Sequence, residues 1–200
     1  MCPTRTIVCL AAACLLAGCG IRAADSEPTS RYRTIRTDPL RNTDAAVEAN
    51  RRGLELLNEG KLEAAEDAFT KALTLDVQYG PAHNNLGKVY FRQANWYKAA
   101  WEFENARKLM PRHPAPRNNL GLVLERAGEL DQAVDSYREA VGLAPDNIQY
   151  VANLARALVR RGDRTGETRD YLERILAEDD RTQWLIWARQ QLSRFPGAGQ

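Results

Sequence analysis

Apolar positions recur along this chain with a helical rhythm and at one fixed long interval. Leu86 and Gly87 stand four and three residues before Tyr90, the spacing that places side chains on one helix face. The tetrapeptide Asn84-Asn85-Leu86-Gly87 returns as Asn118-Asn119-Leu120-Gly121, 34 residues later. At that offset Tyr90 is matched by Leu124, Ala99 by Ala133, Phe103 by Tyr137, Ala106 by Ala140 and Pro111 by Pro145. A fixed period of this length predicts stacked helical hairpins, of which about three are needed before the stack buries enough apolar surface to fold. The residue types fit that packing. Gly and Ala at a helix crossing let two backbones approach, and an aromatic a few residues away fills the space. Pro81 suits the first turn of a helix, Asn95 and Asn147 suit N-caps, and Gly60, Gly128 and Gly162 suit the turns inside hairpins. A last amphipathic stretch carries Trp184, Leu185, Trp187, Ala188 and Leu192 on its apolar side.

These recurring residues resemble the tetratricopeptide repeat. The resemblance implies an all-α, right-handed α-solenoid in which each repeat is two antiparallel helices, A and B. The array is expected over 45–180. The first repeat, 46–79, matches at Gly53, Leu56, Ala65, Phe69 and Ala72, with Arg52 and Val77 off pattern. The second, 80–113, matches at Leu86, Gly87, Tyr90, Ala99, Phe103, Ala106 and Pro111. The third, 114–147, matches at Leu120, Gly121, Leu124, Ala133, Tyr137, Ala140 and Pro145. A degenerate fourth, 148–181, keeps Leu154, Ala155, Leu158 and Tyr171 in phase but has Glu167 and Arg174 where small residues belong, so its second helix is expected to pack loosely or at another angle. Terminal repeats commonly depart in this way. Residues 181–195 are read as a capping helix and 196–200 as a disordered tail. Trp184 and Trp187 are expected to cover the last hairpin; left exposed, they would mark a partner site.

The N-terminus reads as an address. Arg5 precedes an apolar run from Ile7 to Ala17, which is 11 residues and too short for a spanning helix of about 20. Residues 1–18 therefore read as a secretory signal peptide. The exit, Leu16-Ala17-Gly18-Cys19, resembles the lipobox of bacterial lipoproteins. That resemblance implies cleavage before Cys19 and acylation of its sulfur and amino group. Two or three chains anchor a protein stably, at about 0.8 kcal/mol per buried CH₂. Gly20, in place of Asp, favours the outer membrane over inner-membrane retention. Residues 19–44 then form a lipidated, Pro- and Arg-bearing tether expected to be disordered, whose arginines are placed either near anionic lipid or simply in solvent.

Composition narrows the function. The net charge of +2 gives no reason to expect nucleic acid. All four cysteines lie in the first 19 residues, so the repeats hold neither a disulfide framework nor a cysteine metal site. No nucleophile elbow, phosphate loop or metal-spaced histidine cluster points to catalysis, a cofactor or a small-molecule substrate.

The family resemblance implies that A helices line a concave groove. The groove-facing positions are Asn50 and Arg51; Asn84, Asn85, Lys88, Phe91 and Arg92; Asn118, Asn119, Leu122, Glu125 and Arg126; and Asn153, Arg156 and Arg160. That face has six basic residues against one acid. Asn85, Asn119 and Asn153 recur in three successive repeats, each with donor and acceptor for a peptide backbone, or alternatively bonded to the neighbouring repeat. Lys and Arg beside them would select acidic groups. The expected protein is a non-catalytic, membrane-anchored adaptor of the bacterial cell envelope, at the outer membrane facing the periplasm. It would hold a protein segment, acidic by preference, in its groove, for instance in assembly of a pilus or secretin. Two alternatives stand beside it: a structural subunit that oligomerises through its convex face and Trp residues, and an accessory subunit of a peptidoglycan enzyme.

Overall fold

The computed structural model describes residues 41–195; the leader, Cys19, most of the tether and the tail at 196–200 lie outside the described residues. Among the described residues there are nine helices and no strands. They run α1 (Thr43–Asn58), α2 (Leu62–Leu75), α3 (Gly80–Arg92), α4 (Trp96–Leu109), α5 (Pro114–Ala127), α6 (Leu130–Leu143), α7 (Ile148–Arg161), α8 (Gly166–Glu178) and α9 (Thr182–Leu192). Each helix packs on the next, and α1, α3, α5 and α7 also touch in succession. The A helices therefore make one layer of a tetratricopeptide-type solenoid and the B helices, α2, α4, α6 and α8, the other.

Glycine and an aromatic ring set the hairpin crossings. A Cβ added at Gly87 would stand 2.7 Å from the Phe103 ring, and one at Gly121 would stand 2.7 Å from the Tyr137 ring. Gly53 faces Phe69 in the same way. Ala65, Ala99 and Ala133 are fully buried where the B helices cross. The caps fall where the sequence marks them: Asn95 Oδ1 accepts from the Lys98 amide at 3.3 Å, and Asn147 Oδ1 from the Gln149 amide at 3.1 Å. Gly60, Gly128 and Gly162 all have positive φ, and at the equivalent turn of the second repeat Ala94 adopts φ 59°.

Two expectations need correction. The array begins earlier than 45. Asn42 caps α1, its amide donates to the Leu75 carbonyl at 2.8 Å, and Arg41 and Thr43 both donate to the buried Asp76 carboxylate at 2.8 Å. The fourth hairpin is also not simply short of small residues. In α2, α4 and α6 the buried triplets are Ala65-Phe69-Ala72, Ala99-Phe103-Ala106 and Ala133-Tyr137-Ala140. In α8 the fully buried residues are Thr168, Leu172 and Ile175, each one residue later than the 34-residue period demands. The longer turn from Gly162 to Thr165 rotates the helix by one position. Glu167 and Arg174 therefore face outward, bonded to Arg138 and Glu178 at 2.8 Å each, and Tyr171 is only half-buried. Asp163 holds this turn, accepting from the Thr165 amide and the Thr168 hydroxyl at 2.9 Å.

The terminal helix α9 closes the stack. Ala188 and Phe195 join Val151, Ala152, Ala155, Leu172 and Ile175 in one buried cluster, with Trp184 and Trp187 packed against it. The two indoles meet edge to face, with centroids 5.3 Å apart. They cover the last hairpin and do not project from it.

Candidate functional site in the A-helix groove

Three successive A helices supply the groove. Phe91, Leu122, Glu125, Arg126, Arg156 and Arg160 line a cavity of about 500 Å³ spanning α3, α5 and α7. An adjoining cavity of about 130 Å³ shares Phe91 and Leu122 and adds Lys88, Arg92 and Asn119. The Phe91 ring is braced edge-on by Trp96, with centroids 5.2 Å apart. Of the residues expected to face a ligand, these eight, leaving out Glu125, come together around one concave floor.

The asparagines have other work. Asn85 Nδ2 donates to Asn50 Oδ1 at 3.0 Å, Asn119 Nδ2 to Asn84 Oδ1 at 2.9 Å and Asn153 Nδ2 to Asn118 Oδ1 at 2.8 Å. Each bond joins consecutive A helices at an offset of 35 residues. Asn50, Asn84, Asn85, Asn118 and Asn153 are buried, and only Asn119 is partly open. The ladder along a ligand backbone is thus replaced by a ladder between repeats. A buried amide needs a partner, and the asparagine of the next repeat provides it.

The basic residues also divide. Arg51 is taken by Glu48 and Glu55 on its own helix, outside both cavities. Arg156 donates Nε and Nη2 to Glu125 at 2.9 and 2.8 Å, and Arg160 Nη1 adds a third bond at 2.8 Å. The Tyr137 hydroxyl donates to the same carboxylate at 2.9 Å. Glu125 is only 4% exposed. Burial opposes its ionisation, but the hydrogen bonds and charges of Arg156 and Arg160 prevail and hold its pKa down at about 2. Arg156 also lies over the Trp184 ring, 5.4 Å from the centroid, which attaches α9 to this end of the groove.

Lys88, Arg92 and Arg126 have no carboxylate partner among the described residues. Lys88 donates to Asn85 Oδ1 at 3.2 Å, and Arg92 donates one Nη1 bond to the Leu57 carbonyl at 2.9 Å. Burial, and then the charge of Arg92, push the Lys88 ammonium below the ordinary lysine range. A carboxylate placed between these cations would offset their repulsion and favour the charged ammonium. The groove therefore has an α7 end where two arginines share the Glu125 carboxylate and an α3 end where Lys88 and Arg92 have no carboxylate partner among the described residues, with Phe91 and Leu122 shared by both cavities and Arg126 in the larger one. Glu125 at its centre carries no sequence signal beyond being the one acid on a basic face.

Among the described residues no group of three His, Cys, Asp or Glu side chains is arranged to hold a metal, and no helix is long and apolar enough to cross a membrane.

A tetratricopeptide repeat family model matches residues 50–106 and, overlapping, 84–148. No curated protein matches the chain. Solved structures similar to it include the first TPR domain of Spaghetti (RPAP3) bound to the HSP90 peptide SRMEEVD, at 19% identity and TM-score 0.60, covering 62% of this chain and 98% of that one. MamA is similar at 20% identity and TM-score 0.60, covering 79% and 84% of the two chains. A MamA fragment (41-end) from Desulfovibrio magneticus RS-1 matches at 22% identity and TM-score 0.61, covering 68% and 78%. The fold is thus an α-solenoid of stacked helical hairpins, as in these structures. The hairpins between residues 50 and 148 match the tetratricopeptide repeat model, whose members are generally non-catalytic interaction modules.

Proposed function

We propose that this chain is a membrane-anchored, non-catalytic adaptor of the bacterial cell envelope, holding a partner's acidic segment in the groove of α3, α5 and α7. The observation that carries the binding reading is the open end of the groove. Lys88, Arg92 and Arg126 have no carboxylate partner among the described residues and stand beside an apolar floor of Phe91 and Leu122. An extended segment with a carboxylate flanked by an apolar residue satisfies both. The similar RPAP3 domain binds a peptide ending in Glu-Glu-Val-Asp, which supports an acidic ligand by analogy. The anchor rests on Leu16-Ala17-Gly18-Cys19, and with it an outer-membrane, periplasm-facing address and a place in an envelope assembly such as a pilus or secretin.

Each half has its own test. Cys19→Ser should move the protein from the membrane pellet to the soluble fraction; continued pelleting overturns the anchor. For the groove, wild type and a Lys88→Ala/Arg92→Ala/Arg126→Ala variant are used to capture partners from detergent-solubilised envelope. The variant should lose the partner that wild type retains, and equal recovery overturns the groove reading.

A further inference from the structure

The outer face carries a second surface, unconnected with the groove. On α4, Tyr97 is 83% exposed and Trp101 is 61% exposed, one helical turn apart. They stand as a ridge between two clefts. One, of about 490 Å³, separates α4 from α6, has Leu120 and Leu124 of α5 in its lining, and includes Asp135. The other, of about 370 Å³, lies on the far flank beside Lys98 and Tyr90. Leu120 and Leu124 lie on the side of α5 away from Leu122, Glu125 and Arg126, so ridge and groove face opposite ways.

We propose that two copies of this chain pair through this face about a two-fold axis, the Tyr97–Trp101 ridge of each copy entering the α4–α6 cleft of the other. Three observations select a second copy as the occupant. An isologous contact needs knob and hole on one patch, and Trp101 lines both clefts. The charges also match. Around the ridge, Glu102 is held by His83 at 2.6 Å and Glu104 by Arg107 at 2.8 Å. Lys98, which lies over the Tyr90 ring, and Asp135 have no ion partner among the described residues, and they lie on opposite flanks of the ridge. A two-fold axis between the ridge and the α4–α6 cleft brings Lys98 of one copy to Asp135 of the other. The area is also sufficient. Each large aromatic covers roughly 150–250 Å², so four rings with their flanks reach the ~1,000 Å² that a specific interface needs. Pairing on this face leaves both grooves open, so dimerisation and peptide capture are separable.

Sedimentation equilibrium of the full chain in density-matched detergent tests the pairing. Wild type should be a dimer. Trp101→Glu and, separately, Tyr97→Glu should weaken dimerisation at least tenfold while helix content stays as in wild type. Lys98→Asp and Asp135→Lys should each weaken it, and the double exchange should restore it. A monomer at every concentration, a dimer indifferent to Trp101→Glu, or an exchange that restores nothing overturns the proposal. An acidic-peptide titration of the Trp101→Glu variant keeps the two readings apart, because its groove is intact whatever the oligomeric state.

Discussion

The two ends of the groove are built from the same residue types and behave oppositely. At the α7 end, Arg156 and Arg160 share the Glu125 carboxylate, to which Tyr137 also donates, so most of their hydrogen-bonding is directed inside the molecule. At the α3 end, Lys88 and Arg92 meet only amide and carbonyl oxygens, and Arg126 of α5, in the larger cavity, has no carboxylate partner among the described residues. A count of cations along a helix face therefore misstates what a ligand meets. What matters is whether a buried acid on the adjacent helix has already claimed them. Glu125 serves the fold and, under the proposed function, would direct a ligand's acidic group towards Lys88 and Arg92.

That contrast can be broken in steps. The largest effect is expected from Glu125→Ala, which removes the shared acceptor of two arginines and a tyrosine and should cost about 3 kcal/mol in urea unfolding. The same variant frees Arg156 and Arg160, so an acidic peptide should bind it more tightly than wild type. A matching signature appears in acid. The folded pKa of Glu125, about 2, lies below the ordinary carboxyl value of 4.5. Its contribution is complete above about pH 4.5 and is lost as the pH falls towards 2. The stability difference between wild type and Glu125→Gln should shrink through that window, and an unchanged difference would remove Glu125 from its assigned place.

A smaller loss is expected where the ends share a device. Asn153→Ala leaves the buried Asn118 Oδ1 without its donor and should cost about 1–2 kcal/mol by thermal melting. Affinity for an acidic peptide should change less than twofold. A large affinity loss at unchanged stability would return the asparagines to the ligand. The smallest effect lies at the open end. Ala94 takes the left-handed conformation that Gly128 and Gly162 take at the closed end. Ala94→Gly should raise stability by about 0.5–1 kcal/mol in the same melts.

Much of this architecture is written locally and was legible in the sequence. Gly87 and Gly121, Phe103 and Tyr137, and the caps Asn95 and Asn147 recur at one period because each answers the same crossing or turn. What was not legible depends on neighbours across repeats. The twin asparagines look alike in sequence, yet the first of each pair accepts from the following repeat and the second donates to the preceding one, an offset of 35 and not 34. The one-residue rotation of α8 arises in a turn, where length and not residue pattern carries the information, so Tyr171 looked in phase while Leu172 took its place. Arg41 and Thr43 read as tether because their partner, Asp76, lies a full hairpin away. The burial of Glu125 follows from Tyr137 behind it and Arg156 above it, and no single helix wheel contains all three.

The account stands on the open end of the groove, and fluorescence anisotropy tests it most directly. A fluorescein-labelled octaglutamate peptide is titrated with wild type, with Lys88→Ala/Arg92→Ala/Arg126→Ala, and with Arg156→Ala/Arg160→Ala. Saturable, salt-sensitive binding to wild type is expected, weakened at least tenfold by the first variant and less than threefold by the second. No binding to wild type, or the reverse order of the two variants, would contradict it.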